Sequence, residues 1–164
     1  MISARLSKLQ KNLDSQYKLL GAAEDGINQA QSKVAAAKYE MEIDEDIRPR
    51  IHKYEEEYFA LLQQESPSMT FVEADAQAVV DVLNQEIVRV QRQPDNYTAE
   101  ILELLKRMEA KLNEPGVTAD AKLKGTLSMF PPFIGLSYEA QLDTENFCRK
   151  YFPTFTRLIK GAKK

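Results

Sequence analysis

Residues able to do chemistry are sparse in this sequence: 164 residues hold one histidine, His52, and one cysteine, Cys148. A Ser-His-Asp or Cys-His arrangement would have to use His52. That residue follows the apolar Ile51 in a Lys- and Glu-rich helical stretch, and it reads as a surface histidine. Cys148 stands beside Arg149 and Lys150, whose charges would favour a thiolate, but its aromatic neighbourhood reads as core. A lone cysteine excludes an internal disulfide or a thiolate zinc cage, and a lone histidine excludes most histidine metal sites. Carboxylates are dense at Asp44-Glu45-Asp46 and Glu55-Glu56-Glu57. Adjacent helical residues do not converge on one face, however. Neither run has the glycine and terminal glutamate of a calcium loop, and a di-metal bundle would need Glu-x-x-His twice. The six glycines are scattered, with no Gly-Lys-Ser/Thr phosphate loop. These residues predict no enzyme, no cofactor, no metal and no small-molecule substrate.

Composition points the same way. A net charge of −3 and a pI near 5.4 do not suit a nucleic-acid binder, whose affinity comes from cations on phosphates. Hydrophobic residues at 43% and charged residues at 29% are those of a globular chain. Met1 to Leu20 mixes charged and apolar residues, unlike a secretory signal. The longest uncharged stretch, Gly125 to Tyr138, is too short to span a bilayer and contains Pro131-Pro132. A cytoplasmic protein is expected, with a peripheral membrane position as the alternative. Residues 119–164 carry eight Lys/Arg against four Asp/Glu, so an otherwise acidic chain ends basic.

The elements that would position a surface are mostly helical. Ile2, Leu6, Leu9, Leu13, Gln16 and Leu20 step by 4, 3, 4, 3, 4, a coiled-coil seam. The register continues through Ala23, Ile27, Ala30, Val34, Ala37 and Met41. Gly21 and Gly26 weaken it, so the stretch is one long helix or breaks near Asp25-Gly26. Asp44-Glu45-Asp46 before Arg48-Pro49 predicts an interhelix turn, after which Ile47, Ile51, Tyr54, Tyr58 and Leu61 repeat the seam. Residues 1–66 thus read as a coiled-coil-like helical hairpin, and Ser66-Pro67-Ser68 as the boundary to a second unit, 67–164.

That second unit opens with a helical pair. Thr70 and Glu73 fit a capping box, followed by a stripe of Val72, Ala76, Val79, Leu83, Ile87 and Val90. Thr98 caps the next helix, lined by Ile101, Leu104, Leu105, Met108 and Leu112 and ended by Pro115-Gly116. The period then changes to two on both sides of Pro131-Pro132, over 121–129 and 134–142, which predicts two strands. A basic C-terminal helix follows Asp143-Thr144. The expected fold is mainly α with a small antiparallel β-hairpin, an α+β class.

Two features call for partners. The first is the seam, with Leu6, Leu9, Leu13, Leu20, Ile47, Ile51, Tyr54 and Tyr58 as candidates for self-association. The second is the apolar turn Phe130, Pro131, Pro132 and Phe133, together with Lys160, Lys163 and Lys164, a candidate protein or membrane patch. Folding under the helices as core is the competing reading of that turn.

Lys111-Leu112-Asn113-Glu114-Pro115-Gly116, Ala121-Lys122-Leu123-Lys124 and the run Leu136-Ser137-Tyr138-Glu139 to Leu142-Asp143-Thr144-Glu145 resemble accessory domains of cyanobacterial signalling proteins. Those domains accompany NLR-like STAND/NACHT ATPases, and the resemblance covers roughly residues 70–150. It implies an adaptor or effector-associated role; with no ATPase, TIR or protease domain following, a free-standing version is expected. The expected function is therefore a non-enzymatic interaction or oligomerisation module that joins copies or a related helical domain. The alternative is a membrane-associating or pore-forming assembly that uses the apolar turn and the basic end.

Overall fold

The first helix starts where a cap is supplied. Ser3 Oγ accepts the Leu6 amide at 3.1 Å, meeting one orphan donor of α1 (Ala4–Gln29). The computed structural model describes residues 3–139 and 144–162, so Ile2 of the seam lies outside them. α1 runs through both Gly21 and Gly26, each of which costs only about 1 kcal/mol in a helix. It ends at Ala30, whose extended backbone turns the chain, and Ser32 caps α2 (Lys33–Glu42) through the Ala35 amide at 3.1 Å.

The expected turn at Asp44-Glu45-Asp46 is absent. There α2 passes through a π-helical turn, Ile43–Ile47, directly into α3 (Arg48–Glu65). Pro49 supplies the reason for the wider turn: it has no N–H to give, and its ring crowds the carbonyl four residues back. The fold-back therefore sits at Ala30–Ser32, where two residues with extended backbone flank Gln31.

α4 (Glu73–Gln91) and α5 (Ala99–Leu112) form where the stripes predict them, and Thr98 caps α5 through the Ile101 amide at 3.3 Å. The expected Thr70–Glu73 capping box does not form. Val72 occupies the cap position of α4, and Glu73 reaches across to accept the Ala119 amide at 2.7 Å. Asp120 does the reverse, its Oδ1 accepting the Phe71 amide at 2.8 Å. The first turns of α4 and α6 (Ala119–Leu127) thus cap each other across the fold. Gly116, at φ +74°, makes the turn into α6, a backbone shape that costs other residues about 1–2 kcal/mol.

No strand occurs among the described residues, so the chain is all-α rather than α+β. The segment expected as the first strand is α6, and the expected second strand lies in α7 (Phe130–Glu139); its residues 140–143 lie outside those described. The physical reason is visible in the side chains. Leu123 and Leu127 are two alternations apart but also one helical turn apart. With Thr126, Phe130 and Ile134 they form one buried helical stripe. Pro131-Pro132, read as a strand turn, occupies the first turn of α7, where a missing N–H costs nothing.

α8 (Thr144–Gly161) closes the fold. α3 lies at the centre, packed on α1 along one side and on α6, α7 and α8 along the other. One hydrophobic cluster runs through α1, α3 and every helix from α4 to α8, across the Ser66–Ser68 turn. Its middle is aromatic. Phe59 stacks on Phe130 at 4.9 Å, and Phe155 meets both edge-on.

Candidate interaction surface

The seam residues chosen for self-association are satisfied inside one chain. Leu6, Leu9, Leu13, Leu20, Ile47, Ile51 and Tyr58 are buried, and Tyr54 packs half-buried against the core. They pair α1 with α3 of the same molecule, so the seam is no free face. Beside the seam, buried Gln10 donates from Nε2 to Tyr58 Oη at 3.3 Å. Gln16 Oε1 finds no hydrogen-bond partner among the described residues.

The apolar turn is likewise interior. Phe130 is 1% exposed in the aromatic cluster, Pro131 and Phe133 are half-buried, and only Pro132 faces solvent. Lys160 is exposed and, with Lys11, Arg157 and Phe152, lines an open groove of about 600 Å³ between α1 and α8. Lys163, Lys164 and the side chain of Cys148 lie outside what is described. His52 sits on α3 with Nε2 at 2.7 Å from Glu56 Oε1, a pairing one helical turn long. Asp44 pairs with Arg48 at 3.2 Å. Among the described residues no three His, Cys, Asp or Glu side chains are grouped to hold a metal. No described helix is long and apolar enough to cross a membrane.

The arrangement leaves α2 as the least buried helix of the fold. None of its ten residues is buried, although Val34 is 70% and Met41 56% exposed. Helical geometry, about 100° per residue, explains how it stands. Ala35, Ala36 and Tyr39 share one face, turned to α1 with the buried Ile43 below them. There the Tyr39 ring lies over Gly26, where an added Cβ would come within 2.6 Å of Cζ. Val34, Ala37 and Met41 share the opposite face, all exposed.

Charges edge that outer face in order. Lys33 and Glu40, seven residues apart, border one side, and Lys38 borders the other. All three are exposed, and none forms an ion pair among the described residues. The spacing of Val34, Ala37 and Met41 was legible as a continuation of the seam. Its outward direction was not, because the fold-back at Ala30–Ser32 turns the register away from the core.

No protein-family model, curated protein or solved structure matches this chain.

Proposed function

We propose that this chain is a non-enzymatic protein–protein interaction module whose docking face is the outer face of α2. The observation that carries this is a helix with no buried residue that presents Val34, Ala37 and Met41 to solvent between ordered charges. A ten-residue helix is marginal in isolation, so α2 is held in place by α1 behind it and α3 below it. Structure spent on supporting an exposed apolar face suits a face that meets a partner. An adaptor role in bacterial signalling or defence, the role implied by the resemblance at residues 70–150, is the setting we assign.

The membrane alternative loses its apolar element, because Phe130 and Ile134 belong to the core. Flotation with anionic liposomes at low salt tests it separately. The docking reading is tested by photo-crosslinking the full chain in living cells, with benzoyl-phenylalanine at position 34 or 41. Exposed Glu103 on α5 is the control position. Adducts at 34 and 41 but not at 103 are expected. Adducts that are absent, or equal at all three positions, overturn the assignment.

A further inference from the structure

We infer that the occupant of this face is α2 of a second copy, lying antiparallel to the first about a two-fold axis near Tyr39. The inference rests on the reading of α2 as a docking face, and charge order decides the rest. In heptad terms Val34 and Met41 are a positions, Ala37 is d, Lys33 and Glu40 are g, and Lys38 is e; the register ends with α2 at Glu42. A parallel pair brings g of one helix beside the following e of the other. Lys33 would then face Lys38 of the second copy, once on each side of the pair. Both contacts repel.

Antiparallel pairing replaces repulsion by attraction. It brings g beside g, so Lys33 meets Glu40 of the second copy. The two-fold axis then repeats the pair. Met41 packs over Ala37 of the second copy, whose small side chain lets the helices approach closely. Tyr39, at an f position, stays on the rear against Gly26 and takes no part. A surface complementary to itself in one orientation and repelled in the other is what an isologous dimer requires. The cations and carboxylates concerned have no partners within the chain among the described residues, so none must be given up on pairing.

The contact is short, about 15 Å of helix from Lys33 to Glu42. It falls at the low end of interface size, so association belongs in the weak, transient range and screens with salt. The experiment is sedimentation equilibrium of the purified full chain from about 1 μM to about 1 mM, at low and high salt. The chains compared are wild type, Lys33→Glu, Glu40→Lys, and an equimolar mixture of the two variants. We expect a monomer–dimer equilibrium in wild type, weakened about tenfold or more in each variant, where two contacts become repulsive. The mixture should regain wild-type affinity as a heterodimer. There the glutamate introduced at position 33 of one chain faces the lysine introduced at position 40 of the other, and the native Glu40 and Lys33 still face each other. In a parallel pair Lys33→Glu alone would already turn two repulsions into attractions, so mixing would add nothing. Rescue also demonstrates that both variants are folded.

A wild type that stays monomeric throughout overturns the second-copy inference, while the crosslinking at 34 and 41 still decides whether α2 docks another protein. Dimerisation indifferent to both variants, or variants not rescued by mixing, overturns it as well.

Discussion

Alanine at Gly26 and alanine at Gly21 put the same methyl group on the same helix with opposite consequences. Both glycines lie inside α1, where Gly→Ala gains about 1 kcal/mol in helix propensity. At Gly21 the new Cβ meets nothing within 4 Å, so the whole gain should appear. For a chain of this size that is a rise of about 2–4 °C in melting temperature. At Gly26 the new Cβ would lie 2.6 to 2.8 Å from three atoms of the Tyr39 ring, so the ring must leave. Tyr39 is 38% exposed. Surrendering its packing should cost about 1–2 kcal/mol, which cancels or exceeds the propensity gain. The two variants should therefore differ by about 1–2 kcal/mol in urea or thermal unfolding. With no buried residue in α2 the arm can open without the bundle, so amide exchange of α2 is measured alongside. In a Tyr39→Ala background the obstacle is gone, and Gly26→Ala should recover the gain seen at Gly21. Equal stabilisation by both alanines in the wild-type background would refute the packing of α2 on α1, and with it the outward direction of Val34 and Met41.

The seam and the caps give three further tests. Leu13→Ala should cost about 2–5 kcal/mol of global stability, since Leu13 is 1% exposed within the chain; unchanged stability of the monomer would mean the seam joins separate copies. Tyr58→Phe should cost about 1–2 kcal/mol by leaving the buried Gln10 amide unpaired, and a neutral effect on chemical denaturation would dismiss that hydrogen bond. Glu73→Ala should cost about 1 kcal/mol through the freed Ala119 amide, while Thr70→Ala should be close to neutral; the reverse order would restore the local capping box.

What could be read from sequence was whatever neighbours within about four residues decide. The stripes of α4 and α5 are of that kind: Ala76, Val79, Leu83, Ile87 and Val90, then Ile101, Leu104, Leu105, Met108 and Leu112, are buried as their spacing implies, whereas Val72 at the head of the first stripe caps α4 and is 40% exposed. The Thr98 cap was legible for the same reason. Over residues 121–139 the sequence is ambiguous, because leucines four apart satisfy period two and period 3.6 at once, and a proline pair serves a turn or a first helical turn equally. Folding chose the helix, since that stripe fits the core below Phe59 and Phe155.

Tertiary structure alone decided whose surface each stripe meets. A heptad register specifies that a helix wants a partner and says nothing about which helix supplies it. Leu6, Leu9 and Leu13 found α3 of their own chain, whereas Val34, Ala37 and Met41, in the same register, found no helix at all. The difference lies at Ala30–Ser32, where an extended residue and a serine cap reverse the chain and leave the second half of the register facing outward. Spacing is a local property of the chain, but burial depends on residues far away in sequence, and only the folded chain brings them together.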